Sequence, residues 1–86
     1  MVSFWVPTVI IMTVDPDEPT PLYVQLADIL RGQIERGELT GRVPSIKTLA
    51  QQHGVAMGTA ERALVLLRDE GTIKVVIGRG AFVARR

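Results

Sequence analysis

A helical spacing from Leu22 to Ile34, two shorter helical patterns joined through Gly54-Val55, and two valine-rich runs around Gly78-Arg79-Gly80 predict a mainly α fold with a small β-hairpin. Taken in that order, three helices plus a two-stranded wing make a winged helix-turn-helix. The chain divides into residues 1–19, an apolar N-terminal arm followed by a Pro/acidic linker, and residues 20–86, the winged helix-turn-helix. That architecture presents one helix to the major groove of DNA and a hairpin to the flanking backbone or minor groove.

The arm comes first. Val2, Phe4, Trp5, Val6, Val9, Ile10, Ile11, Met12 and Val14 are apolar, Pro7 interrupts them, and no Lys or Arg accompanies them. A secretory signal needs a basic start and a membrane span needs roughly 20 apolar residues, so neither fits and no membrane partner is expected, while the absence of Cys fits a reducing cytoplasm. Two readings of the arm stand side by side. Either Met12 is the true initiator and the preceding residues are disordered or strand-like, or the arm pairs with a sheet edge or a second subunit. From Asp15 to Thr20 the composition turns to Asp, Glu, Pro and Thr, which predicts a solvated linker whose carboxylates have nothing to fix their geometry.

Thr20 as N-cap and Pro21 at the first helical position open the first helix. Leu22, Leu26, Ile29, Leu30 and Ile34 share a face, and Gly37 ends it. The segment from Glu38 to Val43 accommodates a loop and one short strand. Ser45 caps the second helix behind Pro44, Leu49 and Ala50 face inward, and Gly54 closes it with a positive φ. Val55 plugs the core inside the turn. The third helix is expected from about Met57 to Glu70 with Ala60, Ala63, Leu64 and Leu67 inward, and Gly71 stops it. Strands are expected at about Ile73 to Val76 and Ala81 to Ala84, with glycines supplying the turn. Tyr23 and Phe82 read as core packing, and His53 as a surface residue favoured by the helix C-terminus.

Composition excludes several function classes. There is no Cys, so disulfides and thiolate metal sites are excluded, and the single His53 cannot build a zinc site alone. No nucleophile and base pair, metal cluster or phosphate-cradling loop is present, which predicts a non-enzyme without cofactor or metal. The net charge is only +1, yet all ten basic residues and only six of the nine acidic ones follow Pro21, leaving the folded module mildly basic.

Pro21-Leu22-Tyr23-Val24-Gln25-Leu26, Pro44-Ser45 with Leu49-Ala50, Gly54-Val55, Arg62-Ala63-Leu64 with Leu67, Glu70-Gly71, and Gly78-Arg79-Gly80 with Phe82-Val83 form an ordered set. Together they resemble the amino-terminal domain of GntR-type bacterial transcription regulators. The resemblance runs from Pro21 to Ala84. It implies a winged helix-turn-helix that binds a near-palindromic operator in double-stranded DNA as a homodimer; the arm, outside the resemblance, is one route to pairing by its own β-rich composition. In that family a carboxy-terminal domain senses a metabolite; the sequence ends at Arg86, so a regulator lacking an effector domain is expected.

The resemblance also implies site residues. Ser45 matches a capping serine that can touch a phosphate, and Lys47 stands where arginine is usual. Met57, Gly58, Thr59 and Arg62 fall on the recognition helix, and Gly78, Arg79 and Gly80 on the wing tip. Departures accompany these matches. Met57 and Glu61 replace frequent arginines, Gly58 replaces a threonine, Ile46 replaces a glutamate, and Val75 and Val76 replace arginines. Lysine keeps the charge of Lys47 but loses the bidentate fork, so weaker binding or a different operator is expected. The alternative is a winged-helix protein-interaction module with weakened or lost DNA binding, in which Ile46, Met57, Val75, Val76 and Ile77 form an apolar surface.

Measuring the solution mass with and without residues 1–12 separates the readings of the arm. Loss of a dimer on deletion assigns the arm to the subunit interface; an unchanged oligomeric state removes it from dimerisation.

Overall fold

The computed structural model describes residues 14–84, so both readings of the arm before Val14 fall on residues outside that range. Three helices, α1 (Leu22–Glu35), α2 (Ile46–His53) and α3 (Met57–Asp69), precede an antiparallel hairpin of β1 (Ile73–Val76) and β2 (Gly80–Val83). This is the expected winged helix-turn-helix.

The start of α1 differs from expectation by one residue. Pro21 is the N-cap, with φ −55° and ψ 145°, and no side chain caps the helix. Its carbonyl accepts from the amides of Val24 and Gln25. Thr20 is engaged elsewhere: its amide donates to Glu18 Oε1 at 3.2 Å and its carbonyl accepts from Gln25 Nε2 at 2.8 Å. The same Gln25 orders the linker backbone, while the Asp15 and Glu18 carboxylates accept the Asp17 and Thr20 amides, which corrects the expectation that nothing fixes those carboxylates. Gln25 Oε1 accepts the Asp15 amide at 2.7 Å while Nε2 donates to the Asp15 carbonyl at 3.0 Å. Asp15 also closes a turn onto Asp17 and Glu18, and Val14 packs against the core.

Burial follows the helical period. Leu26, Ala27 and Leu30 of α1 meet Leu49 and Ala50 of α2 and Ala60, Ala63, Leu64 and Leu67 of α3, joined by Val43 and Ile73. Leu22 and Ile29, expected on the inner face of α1, are only half-buried. Ser45 caps α2 as expected, its Oγ accepting the Thr48 amide at 3.2 Å, and Gly54 ends that helix at φ 66°. Val55 fills the turn against the core. Helix α3 packs on α1, α2 and β1, and alanines at 60 and 63 let the neighbouring helices approach it closely.

The hairpin pairs Ile73 with Val83, Lys74 with Phe82, Val75 with Ala81 and Val76 with Gly80. Strand β2 therefore starts one residue earlier than expected, because Gly80 closes the ladder opposite Val76. A single bridge from Arg42 to Phe82 adds a third, one-residue strand, flanked by bonds from the Val43 amide to the Ala81 carbonyl and from the Val83 amide to the Gly41 carbonyl. Side chains alternate across a pleat. Buried Ile73 fixes the inner face, so Phe82 lies on the opposite one. Phe82 is half-buried and outside the core cluster, which corrects its assignment as a core ring.

At the far end of α3, Arg31 of α1 forks onto Glu70, the residue that ends that helix. Its Nε and Nη2 reach Glu70 Oε1 and Oε2 at 2.6 and 2.8 Å, and Nη1 reaches Asp28 at 2.6 Å. The Arg31 bond, with a second from Thr72, holds the Glu70 carboxyl below the ordinary glutamate range, and Glu70 and Asp28 raise Arg31 in turn. A carboxylate lowered by folding stabilises the fold above its unfolded value, and that contribution is lost as pH falls through the folded one.

Two outcomes are expected. Leu67→Ala, a fully buried truncation, should cost about 2–5 kcal/mol in urea unfolding. Glu70→Gln should lower stability at pH 7 and flatten its fall below about pH 4.3, the ordinary glutamate value; an unchanged acid limb would show that the pair contributes nothing.

Candidate nucleic-acid interface

Three elements carry the residues singled out from sequence. The start of α2 brings Ser45 and Lys47; α3 brings Met57, Gly58, Thr59 and Arg62; the hairpin tip brings Gly78, Arg79 and Gly80. Ser45 is partly committed to the fold, since its hydroxyl also donates to Thr48 Oγ1 at 2.9 Å. Lys47 is exposed.

Helix α3 begins differently. Its N-cap is Ala56, with no side-chain cap, so the first amides of α3 face outward without a capping oxygen. Met57 and Gly58 are exposed there, Thr59 is half-buried, and nothing lies within 4 Å of where a Cβ on Gly58 would stand. An uncapped helix N-terminus carries partial positive charge, which suits it to an anionic surface.

Arg62 is one turn further along. Its guanidinium sits 5.6 Å above the Tyr23 ring centroid, tying the exposed side of α3 to α1. Tyr23 is thereby both part of the core margin and a platform for a cation. Glu61 borders both this flank and a groove of about 590 Å³ that runs between α3, the start of α2 and the hairpin; Arg42, Ser45, Ile46, Val65, Arg68 and Val75 also line it.

At the tip, the Arg79 amide closes the turn on the Val76 carbonyl at 2.9 Å. Gly78 and Gly80 take φ of 81° and 110°, conformations that a side chain would strain. Arg79 is thus held exposed between two residues that only glycine fills well. Ile77, beside it, is 96% exposed.

Charge is sorted by place. Arg31 and Arg36 of the α1 region and Arg68 near the end of α3 pair with carboxylates. Among the described residues, Arg42, Lys47, Arg62, Lys74 and Arg79 have no carboxylate partner. Sequence reasoning missed Arg42 and Lys74. The signal for Arg42 was available: it alternates with buried Val43 and so must face outward. Of the apolar set, Ile46 packs against the core and Val76 is half-buried, leaving Met57, Val75 and Ile77 exposed.

Among the described residues, no group of His, Asp or Glu is placed to hold a metal ion and no helix is long and apolar enough to cross a membrane.

Comparison with known proteins agrees with this geometry. The model of the family described as bacterial regulatory proteins, gntR family, matches residues 22–83. The HTH-type transcriptional repressor NagR of Bacillus subtilis (strain 168) is 36% identical over 76 residues, 86% of this chain and 31% of NagR. The chain therefore spans less than a third of that relative. YtrA from Sulfolobus acidocaldarius, a GntR-family transcription factor, superposes with a TM-score of 0.79 at 40% identity, covering 88% of this chain and 82% of YtrA. The AraR DNA-binding domain, solved in complex with operator ORX1, gives a TM-score of 0.73 at 30% identity, covering 81% of this chain and 89% of that one.

The Arg62–Tyr23 contact has a measurable consequence. A double-mutant cycle of Arg62→Ala and Tyr23→Leu should give a coupling of about 0.5–1 kcal/mol, as for an exposed cation over a ring; strict additivity would show that the ring does not hold the guanidinium.

Proposed function

This chain belongs to the gntR family of bacterial regulatory proteins, and on that footing we propose that it is a sequence-specific transcription regulator that binds a near-palindromic operator as a dimer in the cytoplasm. The observation that carries the reading is the sorting of charge. Among the described residues, the cations without carboxylate partners lie on α2, α3, the wing and the strand beside it, whereas the ion-paired arginines lie on α1, just after it, or near the far end of α3, where Arg68 still borders the groove. The operator complex of the AraR domain supports it.

In this reading α3 enters the major groove by its uncapped N-terminus. Gly58, without a Cβ, lets the helix come close, and Met57 offers an apolar contact of the kind made to thymine methyl groups. Thr59 and Arg62 contact bases or the adjoining backbone. Ser45 and Lys47 meet phosphates, which position the domain without reading sequence. Arg79, lifted by Gly78 and Gly80, enters the minor groove, where narrow A·T segments attract arginine. Two such domains related by a two-fold axis read the two halves of a near-palindrome.

Exposed Met57, Val75 and Ile77 favour a second reading, a protein-docking surface on the same side. Both make clear statements about one experiment. Binding of the full chain to operators selected from a random duplex pool should be sequence-dependent. Lys47→Ala should weaken binding across all sequences and lower the slope of log K against log salt by about 0.9. Arg62→Ala should cost about 1–3 kcal/mol and relax the preference at one position. Binding without sequence preference at low salt, unaffected by Arg62→Ala or Arg79→Ala, would replace the DNA reading by the protein-docking one.

A further inference from the structure

We propose that the outer face of the wing is a second DNA-backbone contact, formed by Arg42 and Lys74 on either side of Phe82. The proposal rests on the DNA-binding reading above and extends it to residues on two different strands.

The pairing places these three residues in one row. Phe82 pairs with Lys74 across the hairpin and with Arg42 across the isolated bridge, so their side chains share the face of the sheet opposite Ile73 and Val83. Two strand spacings separate the cations, roughly 10 Å. Arg42 is held by its backbone, because the bonds on either side of it, Val43 to Ala81 and Gly41 to Val83, lock it to β2.

Its guanidinium is placed as well. It lies across Gly80, with Nη2, Nε and Cζ at 3.3, 3.4 and 3.7 Å from where a Cβ on that glycine would stand. A side chain at residue 80 would therefore crowd Arg42, in addition to the strain of a φ of 110°. Gly80 thus serves two ends: it closes the turn and leaves room for the arginine against the wing. Phe82, half-buried between the two cations, gives their aliphatic stems an apolar surface to lie along.

Neither cation is spent within the fold. Both side chains are exposed, and among the described residues neither has an ion pair or side-chain hydrogen bond; Glu61, which lines the groove beside Arg42, is not within ion-pair distance. A planar guanidinium flat on a strand and a flexible ammonium nearby suit a sugar-phosphate backbone better than a carboxylate, since phosphates recur along it. Val76 shares this face with Lys74 and carries no charge, so the charge here comes from Lys74 on β1 and from Arg42 on the far side of β2.

The test uses the full chain, a duplex selected for tight binding, and a scrambled duplex, each titrated over a salt series. Arg42→Gln and Lys74→Gln keep the stems and remove the charge; urea unfolding of each variant reports on folding. Each single change should lower the slope of log K against log salt by about 0.9, the pair by about 1.8, with equal loss on both duplexes and an unchanged urea midpoint. Arg42→Lys should restore the slope.

An unchanged slope for the double variant, while Lys47→Ala lowers it, would overturn the wing-face contact and leave the DNA-binding reading in place. Loss of affinity accompanied by a lowered urea midpoint, and not recovered by Arg42→Lys, would also overturn it by making the role structural. A wild-type chain that binds neither duplex would overturn both readings.

Discussion

Helix α3 has to do two things with one cylinder: fill the centre of a very small core and present a surface. Its inner stripe settles the first. Ala60, Ala63, Leu64 and Leu67 are buried against α1, α2 and β1. Burying a leucine contributes about 1.5–3 kcal/mol, so rotation of α3 that exposed Leu67 would cost a large share of what a domain of this size has. With the inner stripe pinned, the outer one follows from the 3.6-residue period: Met57, Gly58, Glu61, Arg62 and Val65 must face away. The presented surface is a consequence of the core.

Secondary constraints fix the ends of the same helix. Gly54 and Val55 set the angle at which α3 leaves α2, one by its positive φ and the other by packing into the turn. Beyond the last turn of α3, the Arg31–Glu70–Asp28 group fastens Glu70 to α1. Gly71, at φ 83°, then reverses the chain into β1. The wing is placed by its inner residues, Ile73 and Val83, and by the bonds to Gly41 and Val43. Arg79 at the tip is therefore separated from the core by short, well-paired strands.

Most of the scaffold was legible in the sequence because its signals are local. Ser45, Gly54, Gly37 and Gly71 each announce a cap through properties of their own, and the apolar spacing of α3 is regular. Three features were not legible in that way. Gln25 clamps the linker through bonds ten residues apart, which composition does not reveal. Phe82 is aromatic and looks like core, but its face depends on strand register, and Ile73 decides that register. Arg42 becomes part of the wing only through pairing with a strand forty residues later. The candidate site residues were named from the family resemblance alone; the partnering of each cation was not legible, because ion pairs such as Arg31 with Glu70 are set by tertiary packing.

The proposed DNA-binding surface is the side bearing the uncapped start of α3, the start of α2 and the wing. Amide chemical-shift mapping of the isotope-labelled chain during titration with a selected operator duplex tests it most directly. Shifts should concentrate at Arg42, Lys47, residues 57–59, Arg62, Lys74 and residues 78–80, with Arg31, Glu70 and Thr72 unperturbed. Shifts confined to the Arg31–Glu70 side, or a saturated titration in which residues 57–59 and Arg79 do not move, would contradict it.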